Sequence, residues 1–279
     1  MMKEILNEHF SGERALFQGN ELRICGSSFT DGESPLKHSR FIELSDCTIV
    51  CKYPIWYSEN IKLKNCTIAE ESRAGMWYVS DIKAEDTAIE APKCFRRSNG
   101  ISLCNVTFTN GEETLWKCNN IRIDGAKVSG DYFAMDSDGM EVSGLELTGG
   151  YSFDGVRNVT VKNSVITGRD AFWNSENVMI YDSVIRGKYF CWNSCNVTLV
   201  NCTVESLQAM CYTDNLILRN CKLPNTALAF EYSTVNADII GGIDSIINPS
   251  GGVIKAESVG EAVMDGKMVD VSRTKLIIG

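Results

Sequence analysis

Apolar and polar residues alternate along the chain in short blocks that recur at a constant spacing. Three such blocks begin at Val159, Val178 and Val197, so that each starts 19 residues after the last. In each block two apolar residues flank a polar or variable one, which is the alternation of a half-buried β-strand. A helix is excluded because its 3.6-residue period would place these two apolar residues on different faces. A fixed spacing near 20 residues indicates a solenoid.

The same block can be followed along most of the chain, and its first apolar residue is taken as the anchor of each copy. The anchors are Leu22, Ile42, Ile61, Ile82, Ile101, Ile121, Met140, Val159, Val178, Val197, Leu216 and, more weakly, Val235. Apolar residues also recur two and seven positions after the anchor and six positions before it. The pattern predicts about 11–12 coils of roughly 19–21 residues between residues 16 and 240.

The fourth position after the anchor holds Asn, Asp or Gly in every copy from Leu22 to Leu216. These residues tolerate a left-handed backbone conformation or hydrogen-bond their own backbone in a turn, so a sharp bend is predicted there. Three short strands and three bends per copy form one coil of a parallel β-helix. The sequence therefore predicts an all-β fold in which stacked coils bury their apolar columns.

The apolar columns, the Asn or Asp corner and the coil length resemble the right-handed parallel β-helices of the pectate lyase and polygalacturonase superfamily. They also resemble an uncharacterised bacterial family of that fold. The resemblance covers about residues 16–235 and implies a single-stranded, right-handed parallel β-helix with a carbohydrate-related role. The polygalacturonase signature of Asn-Thr-Asp, paired Asp, Gly-His-Gly and Arg-x-Lys is absent. The resemblance therefore indicates the fold more strongly than the reaction.

The unbroken repeat predicts one domain over residues 1–279. Residues 1–15 are expected to form an N-terminal cap, as a short helix or an edge strand, because open strand edges of a β-helix must be covered. Residues 241–279 lose the period and are expected to form closing strands over the last coils.

Net charge is −9 and the isoelectric point is near 4.9, which argues against binding to nucleic acid or an anionic membrane. No apolar run has the length of a membrane span, and the first residues lack the apolar region of a signal peptide. We therefore expect a cytoplasmic protein. Its 12 cysteines are expected to be reduced thiols, and no Cys/His cluster predicts a metal site.

All five tryptophans lie five positions before an anchor, in a column that strand alternation predicts to face outward. We call this column and the next one the aromatic strip. Its candidate ligand-binding residues are Trp56, Tyr57, Trp77, Tyr78, Arg97, Trp116, Trp173, Asn174, Trp192 and Asn193. Exposed apolar groups in a row require a reason, and sugar rings stack their C–H faces on aromatic rings. The strip predicts binding of an oligosaccharide or polysaccharide.

Charged residues at the centre of the strip are candidate catalytic groups. Neighbouring coils would place Asp136 and Asp154 about 5–7 Å apart, close to the separation of paired carboxylates in glycosidases. One could protonate the leaving oxygen while the other acts as base or nucleophile. In a lyase, Arg96, Arg97 or Lys117 could instead abstract the proton or hold the carboxylate of a uronate.

Three further interpretations remain open at this point. The segment Asp136-Ser137-Asp138 could hold a calcium ion, since Ca²⁺ prefers oxygen ligands, although no cofactor is required. The protein could be a non-catalytic β-helix that binds a saccharide or a partner protein through the strip. It could also form a homodimer through the strip, with no ligand there.

Overall fold

The computed structural model describes residues 2–279, which form β-strands and two short 3-10 helices, at Glu70–Ser72 and Val271–Arg273. The parallel strands stack as a β-solenoid, and the predicted right-handed parallel β-helix is confirmed. It has about 15 turns rather than 11 or 12. The chain divides into two compact units, one ending at Leu147 and the other covering Thr148–Gly279. The single-domain organisation stays a prediction.

The strands of the first unit stack at the spacing that the anchors predict. In chain order they are β1 (Lys3–Leu6), β2 (His9–Ser11), β3 (Asn20–Cys25), β4 (Ser28–Thr30), β5 (Arg40–Ser45), β6 (Thr48–Ile49), β7 (Glu59–Lys64), β8 (Thr67–Ile68), β9 (Met76–Trp77), β10 (Ser80–Glu85), β11 (Ala88–Ile89), β12 (Phe95–Arg96), β13 (Asn99–Phe108), β14 (Asn119–Ser129) and β15 (Asp138–Thr148). Leu22 pairs with Ile42, and Ile42 pairs with Ile61. The anchors of successive turns therefore lie directly beside one another.

Residues 3–11 form a further turn in register with the one that follows. Lys3 pairs with Leu22 in a parallel ladder, and Phe10 pairs with Phe29. The phenyl rings of Phe10 and Phe29 also stack, with centroids 4.8 Å apart. Of the two forms expected for the N-terminal segment, the edge strand is therefore the one observed.

The second unit repeats the same construction. Its strands are β16 (Arg157–Lys162), β17 (Val165–Thr167), β18 (Glu176–Tyr181), β19 (Val184–Lys188), β20 (Cys195–Val200), β21 (Thr203–Leu207), β22 (Asp214–Leu223), β23 (Thr234–Ile247), β24 (Gly251–Ala256), β25 (Ser258–Val263) and β26 (Thr274–Ile278). Val159 pairs with Val178, and Val178 pairs with Val197. The segment expected to close the helix adds regular turns, since β24 pairs with β23 and β26 pairs with β24.

The predicted inward columns form the core of each unit. Six positions before the anchor, Phe95 and Leu115 in the first unit and Phe153 and Phe172 in the second are fully buried. The rings of Phe153 and Phe172 are stacked with centroids 4.6 Å apart. Each such side chain contributes about 1.5–3 kcal/mol of burial free energy before entropy is subtracted. The core is thus a set of apolar ladders that only stacked turns can bury.

Left-handed residues form the corners of each turn. The predicted bend is present, with φ of 53° at Asp46 and 50° at Asn163. Positions one and four before the anchor are also left-handed, for example Tyr57 with φ 56° and Asn60 with φ 56°. Of the three bends predicted for each turn, only the one four positions after the anchor was located in the sequence; a residue such as Tyr57 gives no signal, because tyrosine has no preference for this conformation.

Asparagine side chains connect the corners of successive turns on the outside of the second unit. Asn215 donates from its amide nitrogen to the side-chain oxygen of Asn196 at 2.9 Å. Asn196 donates in the same way to Asn177, and Asn177 to Asn158, both at 3.0 Å. These amide ladders satisfy polar groups that would otherwise compete for the backbone.

Candidate functional site

The five tryptophans of the aromatic strip are half-buried, and four of them are tied to the backbone of the next turn. Each of these four indole N–H groups donates to a backbone carbonyl oxygen. Trp56 donates to Ala74, Trp77 to Lys93 at 2.7 Å, Trp173 to Tyr189 at 2.6 Å and Trp192 to Gln208 at 2.6 Å. Trp116 instead donates to the Asp136 carboxylate at 3.4 Å. The indoles are therefore fixed parts of the wall rather than free side chains.

The faces of neighbouring indoles cover one another. Trp56 and Trp77 are stacked with centroids 5.1 Å apart and planes within 8°. Trp173 and Trp192 are stacked at 5.6 Å and 12°. Because the rings lie face to face along the stack, their edges are what solvent can reach. A sugar ring cannot stack on an indole face that another indole already covers. Saccharide binding at the tryptophans by other contacts stays a prediction.

A second aromatic stack runs beside the indoles in the first unit. The rings of His38 and Tyr57 are stacked at 5.2 Å, and those of Tyr57 and Tyr78 at 4.7 Å. Phe17 meets His38 edge to face at 5.8 Å. Tyr57 remains 45% exposed and Phe17 36% exposed. Tyr57 and Phe17 are therefore exposed to a larger fraction than any of the five half-buried indoles.

A hollow of about 420 Å³ lies at the Phe17 end of this stack. It is lined by Phe17, Gln18, His38, Arg40 and Tyr57, and we call it the Phe17 hollow. The Arg40 Nε lies 3.5 Å from Glu59 Oε2, an exposed ion pair that leaves the guanidinium solvated. The hollow combines aromatic rings with several hydrogen-bond donors, which is the composition of a ligand site.

Arg96, a predicted catalytic residue, is held by its neighbours in the first unit. Its guanidinium carbon lies 4.7 Å from the ring centroid of Trp77 and 4.6 Å from that of Trp116. One carboxylate oxygen of Glu113 binds the Arg96 guanidinium. The other pairs with Lys93 at 3.1 Å. The guanidinium is thus sandwiched and neutralised, as in a structural strut.

The other predicted catalytic residues are also paired within their own units. The Lys117 Nζ lies 3.7 Å from Asp136 Oδ2, and Asp154 accepts a hydrogen bond from the Asn174 amide at 2.9 Å. Asn193 donates to the Asn174 side-chain oxygen at 2.8 Å. Asp136 belongs to the first unit and Asp154 to the second, and their action as a catalytic pair stays a prediction. Arg97, in the first unit, is exposed beside the strip.

Asp170, in the second unit, is a candidate that the sequence pattern did not identify. It is only 3% exposed, and burial raises the pKa of its carboxyl above the usual range. The Arg169 charge and a hydrogen bond from Tyr151 partly oppose this shift, and the charge of Asp154 adds to it. The Arg169 guanidinium also lies over the Tyr151 ring at 5.1 Å. Nothing in the sequence marks a single buried Asp in a column otherwise rich in tyrosine.

The segment proposed for calcium does not offer three free oxygen ligands. Ser137 is buried, its hydroxyl donates to the Leu115 carbonyl at 2.5 Å, and it accepts from the Cys118 backbone N–H at 2.9 Å. Across residues 2–279 no group of three or more His, Cys, Asp or Glu side chains could hold a metal ion. The donor set therefore does not fit calcium at this position.

The twelve cysteines are free thiols, as expected. Cys47 and Cys202 are buried one position after the corner, where the thiol of Cys47 donates to the Ser45 carbonyl at 3.2 Å and that of Cys202 to the Val200 carbonyl at 3.3 Å. Cys104 is the exposed one. The buried thiols thus replace the serines that occupy the same position in other turns. No helix between residues 2 and 279 has the length and apolar character that a membrane crossing requires.

A family model described as "Protein of unknown function (DUF3737)" matches residues 3–277. No curated protein matches the sequence. Among solved structures, PfbA, a surface adhesin of Streptococcus pneumoniae, is similar at 10% identity, with 94% of this chain and 84% of that chain covered and a TM-score of 0.38.

The A-module of the mannuronan C-5 epimerase AlgE4 of Azotobacter vinelandii is similar at 8% identity, with 100% and 89% of the two chains covered and a TM-score of 0.38. The periplasmic alginate epimerase AlgG is similar at 9% identity, with 99% and 76% covered and a TM-score of 0.31. Likenesses this distant say nothing about what the present chain binds.

Proposed function

The chain belongs to the family described as "Protein of unknown function (DUF3737)", and from its own side chains we propose that it is a saccharide-binding β-helix. The site is the Phe17 hollow, and the ligand is an oligosaccharide that carries carboxylate groups. Binding rather than turnover is proposed for this site.

One observation carries the proposal: accessible aromatic rings and polar donors share one concavity. Tyr57 and Phe17 are among the few large apolar side chains left exposed. Gln18, His38 and Arg40 line the same space with groups that donate hydrogen bonds. A volume of about 420 Å³ accommodates one or two sugar rings. Sugars present both an apolar C–H face and hydroxyl groups, so their chemistry complements this lining.

The charges around the hollow favour an acidic ligand. Lys37 lies beside the stack, with its Nζ 5.6 Å from the Tyr57 ring centroid. Arg40 lines the hollow and Lys37 precedes it by three positions in the same turn, while the protein as a whole carries a charge of −9. A carboxylate-bearing saccharide gains charge-assisted hydrogen bonds from these two residues, and a neutral one does not.

Catalysis is not required by the geometry of the strip. A general acid or base needs a free titratable group within reach of the substrate. Arg96 is enclosed by two indoles and Glu113, and Lys117 is paired with Asp136. These contacts support a structural role for the central charges and leave the Phe17 end as the open part of the strip.

Titration calorimetry with oligogalacturonate and with cello-oligosaccharide of equal length tests the proposal. We expect binding of the acidic ligand, weakened about tenfold or more by Tyr57→Ala, since one aromatic contact and its neighbours are lost. Arg40→Gln should reduce the preference for the acidic ligand. Unchanged melting temperatures would establish that the variants remain folded.

Tyr212→Ala provides a matched control. Tyr212 is also 45% exposed and left-handed, with φ 55°, and it occupies the equivalent position of a turn in the second unit. It does not line the Phe17 hollow. Equal losses from Tyr57→Ala and Tyr212→Ala, or no heat with either saccharide, would refute binding at this hollow. A dimer dissociated by Tyr57→Ala would favour an interface between copies instead.

A further inference from the structure

A second concavity lies on the outer face of the anchor strands in the first unit, away from the aromatic strip. It has a volume of about 290 Å³ and runs across the turns that carry β5, β7, β10 and β13. Phe41 lies toward one end, Asp81 and Lys83 occupy the middle, and Gly100 and Ser102 lie at the other end. We call it the Phe41 groove.

Phe41 is out of place by both exposure and backbone conformation. It is 46% exposed and left-handed, with φ 53°. The same position, one before the anchor, holds Asn60, Asp81 and Asn120 in other turns, all left-handed. Asn and Asp tolerate this conformation because their side chains hydrogen-bond locally, and phenylalanine has no such compensation. Exposed apolar surface at the rim of a concavity, at a position that holds Asn or Asp in these other turns, indicates a binding role.

The groove also contains two charged side chains that have no partner among the described residues, 2–279. Along this face Glu43 is bonded to Arg23 at 3.0 Å and to Lys62 at 2.9 Å. The side chains of Asp81 and Lys83, in contrast, form no ion pair or hydrogen bond with any residue from 2 to 279. They lie two positions apart on β10 and therefore on the same face, with Cα atoms about 6–7 Å apart.

Gly100 leaves room for the Asp81 carboxylate in the groove. A Cβ added at Gly100 would lie 2.6 Å from Asp81 Oδ1, so this carboxylate would have to shift. The glycine also has φ 70°, a conformation that side chains rarely adopt. Asp81, Lys83 and the Phe41 ring therefore face the same groove, beside the paired charges of Glu43 and Lys62.

We propose that the Phe41 groove binds an α-amino acid with an apolar side chain. Asp81 receives the ammonium group and Lys83 receives the carboxylate. The ligand's side chain points past Asn60 toward Phe41, which lies two turns or about 9–10 Å away, and its far end packs against the Phe41 ring. A zwitterion neutralises both unpaired charges at once, whereas a simple acid or amine would meet one charge of its own sign. The volume of the groove is sufficient for a ligand of this size.

Calorimetry with L-phenylalanine on the full chain tests the proposal. The two matched probes are 3-phenylpropionate, which lacks the ammonium group, and 2-phenylethylamine, which lacks the carboxylate. Each should bind about tenfold or more weakly than L-phenylalanine, because one charge-assisted contact is lost. Equal binding of either probe would overturn the zwitterion assignment, and no binding of any apolar amino acid at millimolar concentration would overturn the site.

Three variants locate the site. Lys83→Met and Asp81→Asn should each weaken binding of L-phenylalanine about tenfold or more while the protein stays folded. Phe41→Asn should weaken binding and raise the melting temperature, because asparagine suits the left-handed position. Lys64→Met, an exposed lysine outside the groove, should change neither. Binding that survives both Lys83→Met and Phe41→Asn would refute the proposal.

Discussion

The Nη2 atom of Arg96 lies 2.7 Å from the Oε2 atom of Glu113, in a half-buried ion pair that the indoles of Trp77 and Trp116 enclose. The same guanidinium thus bridges two rings that belong to different turns. A residue whose type and position suggested catalysis has the contacts of a cross-link between turns.

Replacing Arg96 with Met should lower the free energy of unfolding by about 2–3 kcal/mol, because one charge-assisted hydrogen bond and two cation–π contacts are lost. Urea unfolding followed by circular dichroism measures the change. Arg97→Met is the matched control, because Arg97 is the next residue and its side chain is exposed. This variant should change the free energy of unfolding by no more than about 0.5 kcal/mol. Similar losses of unfolding free energy in both variants would contradict the role of Arg96 as a cross-link between turns.

The indole hydrogen bonds predict that tryptophans of the strip differ in stability even though they occupy equivalent positions. Trp192→Phe removes a donor that lies 2.6 Å from the Gln208 carbonyl and should cost about 1–3 kcal/mol. Trp116→Phe removes only a 3.4 Å bond to the exposed Asp136 carboxylate and should cost less than about 1 kcal/mol. Denaturant unfolding of the two variants side by side would show the difference, and an inverted order would count against it.

The buried Asp170 carboxyl should make stability depend on pH in the acid range. Burial raises its pKa in the folded state, so the folded state binds its proton more tightly than the unfolded state does. Its stabilising contribution is complete below the unfolded pKa, and it is lost as pH rises through the folded pKa. Asp170→Asn should therefore stabilise the protein at neutral pH. It should also reduce the change of melting temperature with pH across the acid range.

Asp182→Asn is the control for this measurement, because Asp182 is exposed and left-handed in the same unit. An equal change of the pH dependence in both variants would exclude burial of Asp170 as its cause. If Asp170→Asn destabilised the protein at neutral pH, the pair with Arg169 would outweigh burial, and the sign argued here would be wrong.

Gly187 should be intolerant of any side chain. Its φ is 152°, and an added Cβ would overlap the carbonyl oxygen of Gly168 in the preceding turn. Gly187→Ala should therefore cost about 3 kcal/mol or more. Gly241 also has a positive φ, 82°, but no atom lies within 4 Å of an added Cβ, so Gly241→Ala should cost only about 1–2 kcal/mol. Thermal or urea unfolding that gave equal losses would exclude the overlap as the cause.

The repeat predicted the stack well because period and burial are properties of the sequence. Within each unit the anchors pair as the spacing requires, for example Leu22 with Ile42 and Val178 with Val197, and the corner at Asp46 bends as predicted. The turn at Lys3 escaped detection because a lysine stands where other turns have an apolar anchor. Its pairing with Leu22 depends on backbone hydrogen bonds that no side chain announces.

The strip was less predictable, because the direction of a ring depends on side-chain torsions and local partners. The sequence placed Trp56 and Trp77 in one column, but it did not indicate that their faces would cover each other or that backbone carbonyls would bind their N–H groups. The Phe17 hollow and the Phe41 groove escaped for a related reason. A concavity forms where neighbouring side chains leave a gap between them, and a pattern of apolar and polar residues does not indicate where such gaps occur.

The amide ladder from Asn215 to Asn158 runs in one direction, since each of these amides donates toward the preceding turn. Spontaneous hydrolysis of the Asn177 amide would leave a carboxylate that still accepts from Asn196 but has nothing to donate to Asn158. Chemical ageing would thus cut a single connection on one side of the altered rung and add a negative charge there. The altered protein would lack the side-chain hydrogen bond between residue 177 and Asn158 on its N-terminal side. The hydrogen bonds of Asn196 and Asn215 would remain.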